Sequence, residues 1–301
     1  MNEIIVISGP TASGKTKTAV ELAKLKNTEI VSADSMQVYK HMNIGTAKVT
    51  KDEMQGVKHH MIDIISPFKS YNVNDYTIDA NKCINEIIKN GKTPIICGGT
   101  GLYINSVIYN FNLTEAVSNP ELRQELTDIY NEKGGEYLLL ELKKFDSETA
   151  ERLHPNNGRR IIRAIEMYKT SGITMTEQIK ITNASKNKYN LKFYCLSMDR
   201  KRLYERIDKR VDIMLEAGLL AEAEELIHMG VPKNSTAMQA IGYKEIIKYK
   251  DGEISLDTAI ETIKQESRRY AKRQLTWFRR DENVKWLDTE KDDIEKELYN
   301  G

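Results

Sequence analysis

Hydrophobic and polar positions alternate in blocks along the first hundred residues. "EIIVIS" (3–8) is a β-branched run that stops at a glycine, the pattern of a buried strand. Residues 16–25 place Ala19, Leu22 and Ala23 on one side, which predicts a helix. "EIVSA" (29–33) predicts a second strand and "HMIDII" (60–65) a third. "VNDYTIDANKCINEIIKNG" (73–91) has apolar residues at helical spacing and ends at Gly91, a C-cap signal. "TPIICGGTG" (93–101) is an apolar strand running into a glycine-rich turn. Strand and helix in alternation predict an α/β fold, a parallel sheet flanked by helices on both faces.

Near residue 114 the pattern changes. "NPELRQELTDIYNEKGGEYLLLELKKFDSETAERL" is helical in period, with Asn119 as cap and Pro120 in the first turn. "HPNNGRRIIRAIEMYKTSG" (154–172) opens on turn residues and continues as a helix to Gly172. "NASKNKYN" (183–190) reads as a polar linker, and "LKFYCLSMD" (191–199) returns to a strand. The simplest organisation is a sheet domain of residues 1–114 and 190–301 interrupted by an all-helical insertion at 115–189. There is no internal repeat.

Composition narrows the class. The chain has 301 residues, 40% hydrophobic and 30% charged, which suits a soluble globular protein. No apolar run approaches the ~20 residues that span a bilayer. Met1 leads directly into a strand, so no secretion signal is expected. Cys83, Cys97 and Cys195 are scattered without a CxxC pair, which argues against disulfides and cysteine-based zinc and favours a cytoplasmic location. Net charge is only +1, so charge distribution is more informative than its sum.

The first chemical motif is "GPTASGKT", formed by Gly9, Pro10, Thr11, Ala12, Ser13, Gly14, Lys15 and Thr16. It follows a strand and opens a helix, the context a phosphate loop requires. The glycines let amide N–H groups turn inward, and the helix N-terminus adds positive potential. Lys15 can neutralise phosphate oxygens and the Thr16 hydroxyl can hold Mg²⁺. A di- or triphosphate ligand follows. An ATPase would carry an acid after an apolar strand to hold Mg²⁺. Here the strand ends Cys-Gly-Gly, leaving Asp63 and Asp199 as the remaining candidates.

Asp34, just past the second strand, falls at the edge of the sheet where ligands bind in open α/β folds. Spacing alone leaves it three roles: general base, Mg²⁺ ligand or helix N-cap. His59 and His60 are adjacent and point to opposite faces of a strand, a poor metal pair. His154 reads as a turn residue.

Positive charge is clustered. On a helical wheel Arg268, Arg269, Lys272, Arg273, Arg279 and Arg280 fall within an arc of about 140°, opposite Tyr270, Ala271, Gln274, Leu275, Trp277 and Phe278. Arg202, Arg206 and Arg210 recur on one helix face, and Arg159, Arg160 and Arg163 form a third group. Such stripes are often only solvated faces, but three of them suit an extended polyanion, nucleic acid before membrane.

"GPTASGKT", "ADSMQVYKHMNIGTAK", "GGTGLY", "HPNNGRRIIRAIE", "RIDKRV", "QAIGYKE" and "AKRQLTWFRR" occur in this order. Together they resemble the tRNA dimethylallyltransferase (tRNA isopentenyltransferase, IPP transferase) family from residue 9 to about 280. The resemblance implies a P-loop NTPase-like core that binds dimethylallyl diphosphate instead of ATP. It implies transfer of the dimethylallyl group, with Mg²⁺, to N6 of the adenine on the 3′ side of the anticodon. It implies that Asp34 is the base, that Lys15, Thr16 and Arg210 stabilise the diphosphate, and that the insertion helps hold the anticodon stem-loop of tRNA. It assigns tRNA or reacting-centre contacts to Asp34, Ser35, Met36, Gln37, Thr100 and Arg123. It assigns further tRNA contacts to Arg159, Arg160, Ile161, Ile162 and Arg163, and to Gln239, Ala240, Ile241, Gly242, Tyr243 and Lys244. Relatives often have Gln where Arg159 stands. Arg273 and Arg280 join the tRNA surface through the basic stripe. A monomer is expected. The competing readings are an adenylate isopentenyltransferase acting on free AMP, ADP or ATP, a P-loop small-molecule kinase, and a non-catalytic RNA-binding module.

Overall fold

The computed structural model describes residues 1–109, 119–184 and 189–299. The expected boundary at 114/115 and residues 185–188 of the expected linker lie outside them. The chain divides into two compact units, Met1–Ile108 with Lys188–Gly301, and Tyr109–Asn187.

The first unit is built on six strands: β1 (Glu3–Ser8), β2 (Ile30–Ser32), β3 (His59–His60), β4 (Ile95–Gly98), β5 (Asn190–Ser197) and β6 (Val284–Asp288). All pairings are parallel and the order is β3-β2-β4-β1-β5-β6. Ile4, Ile5, Val6 and Ile7 of β1 are all buried, so this strand reads as a continuous apolar run, as a strand covered on both faces must. Its register fixes the functional edge. Ser8 lies level with Gly98 and Cys195, and Ser32 with Cys97, so the segments following β1, β2 and β4 emerge together. That carboxyl edge is where open parallel sheets bind ligands.

Helices α1 (Lys15–Leu25), α2 (Lys51–Met54), α3 (Val73–Lys89) and α4 (Gly101–Ile108) join these strands. Helix α1 buries Ala19, Val20, Leu22 and Ala23 against Ile5, Ile7 and Ile95. Helix α3 starts in a reciprocal cap: Asn72 Oδ1 accepts from the N–H of Asn74 and Asp75, and Asp75 accepts from the N–H of Asn72.

The third strand is shorter than the expected 60–65. Only His59 and His60 pair, with Ile30 and Val31. Met61 and Asp63 then take left-handed backbone, φ 64° and 55°, which ends the ladder. Asp63 instead meets Lys48.

The second unit holds α5 (Pro120–Lys143), α6 (Ser147–Arg152), α7 (Gly158–Ser171) and α8 (Met175–Ala184). Asn119 caps α5 through the N–H of Leu122, and Pro120 occupies the first turn. Gly134, at φ 80° and ψ 171°, breaks α5 into two helical stretches. The core of this unit joins Leu126, Leu138, Leu142, Ile161, Ile162 and Ile165.

Back in the first unit, α9 (Arg200–Glu216), α10 (Leu219–His228), α11 (Tyr243–Lys250) and α12 (Leu256–Phe278) lie between β5 and β6, and α13 (Ile294–Tyr299) follows. Among the described residues no helix is long and apolar enough to cross a membrane.

Candidate active site

The loop after β1 is shaped by backbone that few residues adopt. Gly14 has φ 93° and heads α1, while the N–H of Ser13 closes a turn on Pro10 O at 3.3 Å. The first amides of α1 have no partner inside the helix and carry its positive end. Ser13 Oγ is buried and has no hydrogen-bond partner among the described residues. Lys15 Nζ donates to Pro10 O at 2.7 Å. Burial pushes the Lys15 ammonium down to about 8; neighbouring Cys97 and Asp34 oppose the fall and Arg210 adds to it. A cation stripped of water by burial gains most when an anion arrives.

Asp34 follows β2 and serves two ends. Its Oδ1 accepts from the N–H of Met36 at 2.9 Å and of Gln37 at 3.2 Å; residues 35–38 form a turn and not a helix, so these bonds close a turn where a helix N-cap was one expectation. Oδ2 takes no hydrogen bond among the described residues, and the carboxylate lines the same cavity as Lys15, Thr16 and Arg210. Thr100 fixes this loop: its Oγ1 accepts the Ser35 N–H at 3.1 Å, and its own N–H donates to Ala33 O. Thr100 is therefore a support for Asp34 and does not line the cavity.

The cavity has a volume of about 410 Å³. The phosphate loop, Asp34 and Arg210 give it a charged region. Ile207, Val211, Met214, Leu219 and Ile263 give it an aliphatic wall. Gln239, Ala240, Ile241, Gly242 and Lys244 also line it, as do Ser35, Met36, Gln37 and Arg273. Arg210 reaches Thr11 Oγ1 at 3.4 Å. Both leftover acids are committed elsewhere: Asp63 to Lys48, and Asp199 to the N–H of Lys201 and Arg202 at the start of α9. His60 pairs with Glu29, His59 with Val57 O, and His154 Nδ1 accepts the Asn156 N–H within its turn.

One carboxylate that sequence reasoning passed over holds a cavity wall. Glu222 accepts from the consecutive N–H groups of Asn43, Ile44 and Gly45 and from Tyr243 Oη at 2.6 Å. Gln37 Nε2 takes the other side of the loop, donating to Thr46 O and Ala47 O. Nothing local distinguishes Glu222 from Glu224 or Glu225 beside it. The same bonds correct the reading of Tyr243. It is fully buried, packs against Gly45 and supports the wall from behind, so it is not a contact surface.

The basic groups also sort themselves. Arg268 pairs with Asp208 and Arg269 with Glu266, and Arg202 with Glu290. The expected unopposed cationic arc is thus neutralised in part, by Asp208 from a distant stretch of sequence and by Glu266 three residues before Arg269 on the same helix. Arg279 and Arg280 lie past the last helical turn of α12 and are exposed. Arg273 stays beside the cavity with its guanidinium over the Tyr270 ring.

In the helical unit, Arg123 and Arg163 converge on Glu166, which is 0% exposed and also accepts the Asn119 N–H. Burial raises the Glu166 carboxyl, but the two arginines and the amide outweigh it and leave it below the usual carboxylate range. Ile161 and Ile162, at 0% and 6% exposure, are core residues of this unit. Their expected role as tRNA contacts fails because α7 turns that face inward. Arg159 and Arg160, immediately before them, are exposed.

Known proteins share this sequence and fold. A family model described as IPP transferase matches residues 37–281. A protein of Acetivibrio thermocellus named tRNA dimethylallyltransferase is 48% identical over 298 residues, 99% of this chain and 95% of that one. A protein of the same name from Carboxydothermus hydrogenoformans is 50% identical, covering 98% and 94%. The crystal structure of a full-length tRNA isopentenylpyrophosphate transferase from Bacillus halodurans superposes with TM-score 0.74 at 46% identity, covering 100% of this chain and 94% of that chain. A eukaryotic dimethylallyltransferase solved acting on tRNA gives TM-score 0.80 at 30% identity, covering 96% and 74%. With relatives near half-identical along almost its whole length, this chain belongs to the IPP transferase family.

Proposed function

We propose that this protein transfers the dimethylallyl group of dimethylallyl diphosphate to N6 of the adenine on the 3′ side of the anticodon in tRNA. The observation that carries this reading is a single cavity that joins a phosphate loop, an uncommitted carboxylate oxygen on Asp34 and an aliphatic wall. A small-molecule kinase also needs a phosphate loop and an acid, but it does not need an aliphatic wall beside them. The relatives' names agree with it.

The chemistry follows from charge. Breaking the allylic C1–O bond leaves diphosphate, whose growing negative charge is met by Lys15, Arg210 and the first amides of α1. The N6 nitrogen forms the new bond to C1, and its proton passes to Asp34 Oδ2. The Thr16 hydroxyl suits Mg²⁺, which takes few protein ligands and completes its shell with phosphate oxygens and water. When bound, Mg²⁺ would add positive charge against the leaving group.

For the tRNA, Arg159, Arg160, Arg273 and Arg280 supply exposed cations, and the 239–242 segment supplies surface at the cavity. The target adenine must leave the loop stack to reach Asp34. A cytoplasmic location suits three cysteines that are all free.

The test is a transfer assay with radiolabelled dimethylallyl diphosphate and Mg²⁺, offered unmodified tRNA in one tube and AMP in another. The expected result is label in tRNA alone. Label in AMP alone, or in neither with ATP hydrolysed, overturns the reading.

A further inference from the structure

Three separate stretches of sequence meet at one buried amide. Gln274 of α12 is 5% exposed. Its Oε1 accepts the Thr11 N–H at 2.9 Å, and its Nε2 donates to Gly99 O at 3.0 Å. Thr11 belongs to the phosphate loop after β1, and Gly99 to the turn after β4.

The fit is steric as well as polar. A Cβ on Gly99 would overlap the Gln274 amide, and one on Gly101 would overlap the Trp277 indole. The turn after β4 thus lacks side chains where α12 lies against it. Next along the helix, Ala271 and Leu275 cluster with Ala12 of the phosphate loop. Thr11 is held at both ends, by Gln274 at its amide and by Arg210 at its hydroxyl.

The chemistry of the bridge is restrictive. Thr11 needs an acceptor and Gly99 needs a donor. A side-chain amide offers both, a carboxylate only accepts and an ammonium only donates. Tyr270 and Arg273, which precede Gln274 on α12, line the cavity, as does Gln274 itself.

We propose that Gln274 is a positioning residue for the diphosphate. Its amide fixes the phosphate loop against the glycine-rich turn and so sets where the loop amides and Arg210 meet the leaving group. The proposal rests on the reading of the cavity as a prenyl diphosphate site.

Two variants test it. Gln274→Met keeps the length and loses both bonds. Gln274→Glu keeps the acceptor and sets a carboxylate against Gly99 O and near the diphosphate. The measurements are kcat, the KM for dimethylallyl diphosphate, the KM for tRNA, the Kd of inorganic pyrophosphate by calorimetry, and the melting temperature. Gln274→Met should raise the diphosphate KM and the pyrophosphate Kd about tenfold, and Gln274→Glu should raise both further. The tRNA KM should stay within about twofold in each. Unchanged diphosphate KM and pyrophosphate Kd in both variants would overturn the proposal. So would equal rises in both KM values with a lowered melting temperature, which mark general loosening. Wild-type protein that binds no pyrophosphate would instead defeat the diphosphate reading, and this proposal with it.

Discussion

Two groups of cations look alike along the chain and differ in the folded protein. In the sheet unit, Lys15 and Arg210 face a cavity also lined by Asp34, which keeps one carboxylate oxygen uncommitted. In the helical unit, Arg123 and Arg163 close on Glu166, which is buried and fully satisfied. The first group has charge left over for a ligand. The second has spent much of its charge on its own fold. A cationic cluster is evidence for an anionic partner only after its internal partners have been counted, and those partners are set by tertiary contacts.

The contrast predicts that substitutions in the first group alter rate and that substitutions in the second alter stability. Asp34→Asn should have the largest effect. The amide oxygen still accepts from Met36 and Gln37, so the turn survives, but the proton acceptor is lost. We expect kcat to fall by about 10²–10⁴-fold, with tRNA affinity retained in a filter-binding assay. Full activity would leave Asp34 with the closing of its turn alone.

Lys15→Met and Arg210→Met each remove a charge from the leaving group's cradle. Each should lower kcat/KM for dimethylallyl diphosphate by roughly 10²–10³-fold in steady-state assays. Unchanged kinetics in either variant would remove that residue from the site.

A smaller effect should appear with pH. Burial holds Lys15 at about 8, below its ordinary value, so the free enzyme loses this charge as pH rises through that point. The kcat/KM for dimethylallyl diphosphate should bend downward near pH 8 and approach a tenfold fall per unit above it. A bound diphosphate draws the lysine pKa upward, so kcat should bend later. Lys15→Arg, which stays charged, should lose the bend whatever its absolute rate.

The smallest kinetic effect belongs to the helical unit. Glu166→Gln removes the charge that Arg123 and Arg163 share. Because those side chains are 48% and 42% exposed, solvent screens the pairs, and the loss should be about 2 kcal/mol of stability. Thermal melting should record it, while the KM for dimethylallyl diphosphate should stay put. A large rise in that KM would erase the distinction between the two groups.

The parts of the fold that local pattern encodes were legible. The first strand spans the residues its apolar run marks, and the glycine motif stands between that strand and α1 as its spacing requires. Lys15, Thr16, Asp34 and Arg210, which lie far apart in sequence, line one cavity. Other features were hidden for physical reasons. Residues 61–65 carry strand composition, yet left-handed backbone at Met61 and Asp63 breaks the ladder, in favour of a lysine fifteen positions away. Ile161 and Ile162 sit between exposed arginines in sequence, and only helix orientation shows them to be core. Glu222 and Gln274 act through hydrogen bonds to backbone groups more than 170 residues away, and backbone groups leave no mark in a sequence.

The most direct measurement combines the reaction with mapping of its product. Unmodified tRNA would be treated with the protein, dimethylallyl diphosphate and Mg²⁺, digested with nuclease and read by mass spectrometry, with Asp34→Asn in parallel. One dimethylallyl group on the adenine 3′ to the anticodon, present with the wild type and nearly absent with the variant, is the result expected. Modification at another nucleotide, or equal modification by both proteins, would contradict the assignment of this cavity and of Asp34 within it.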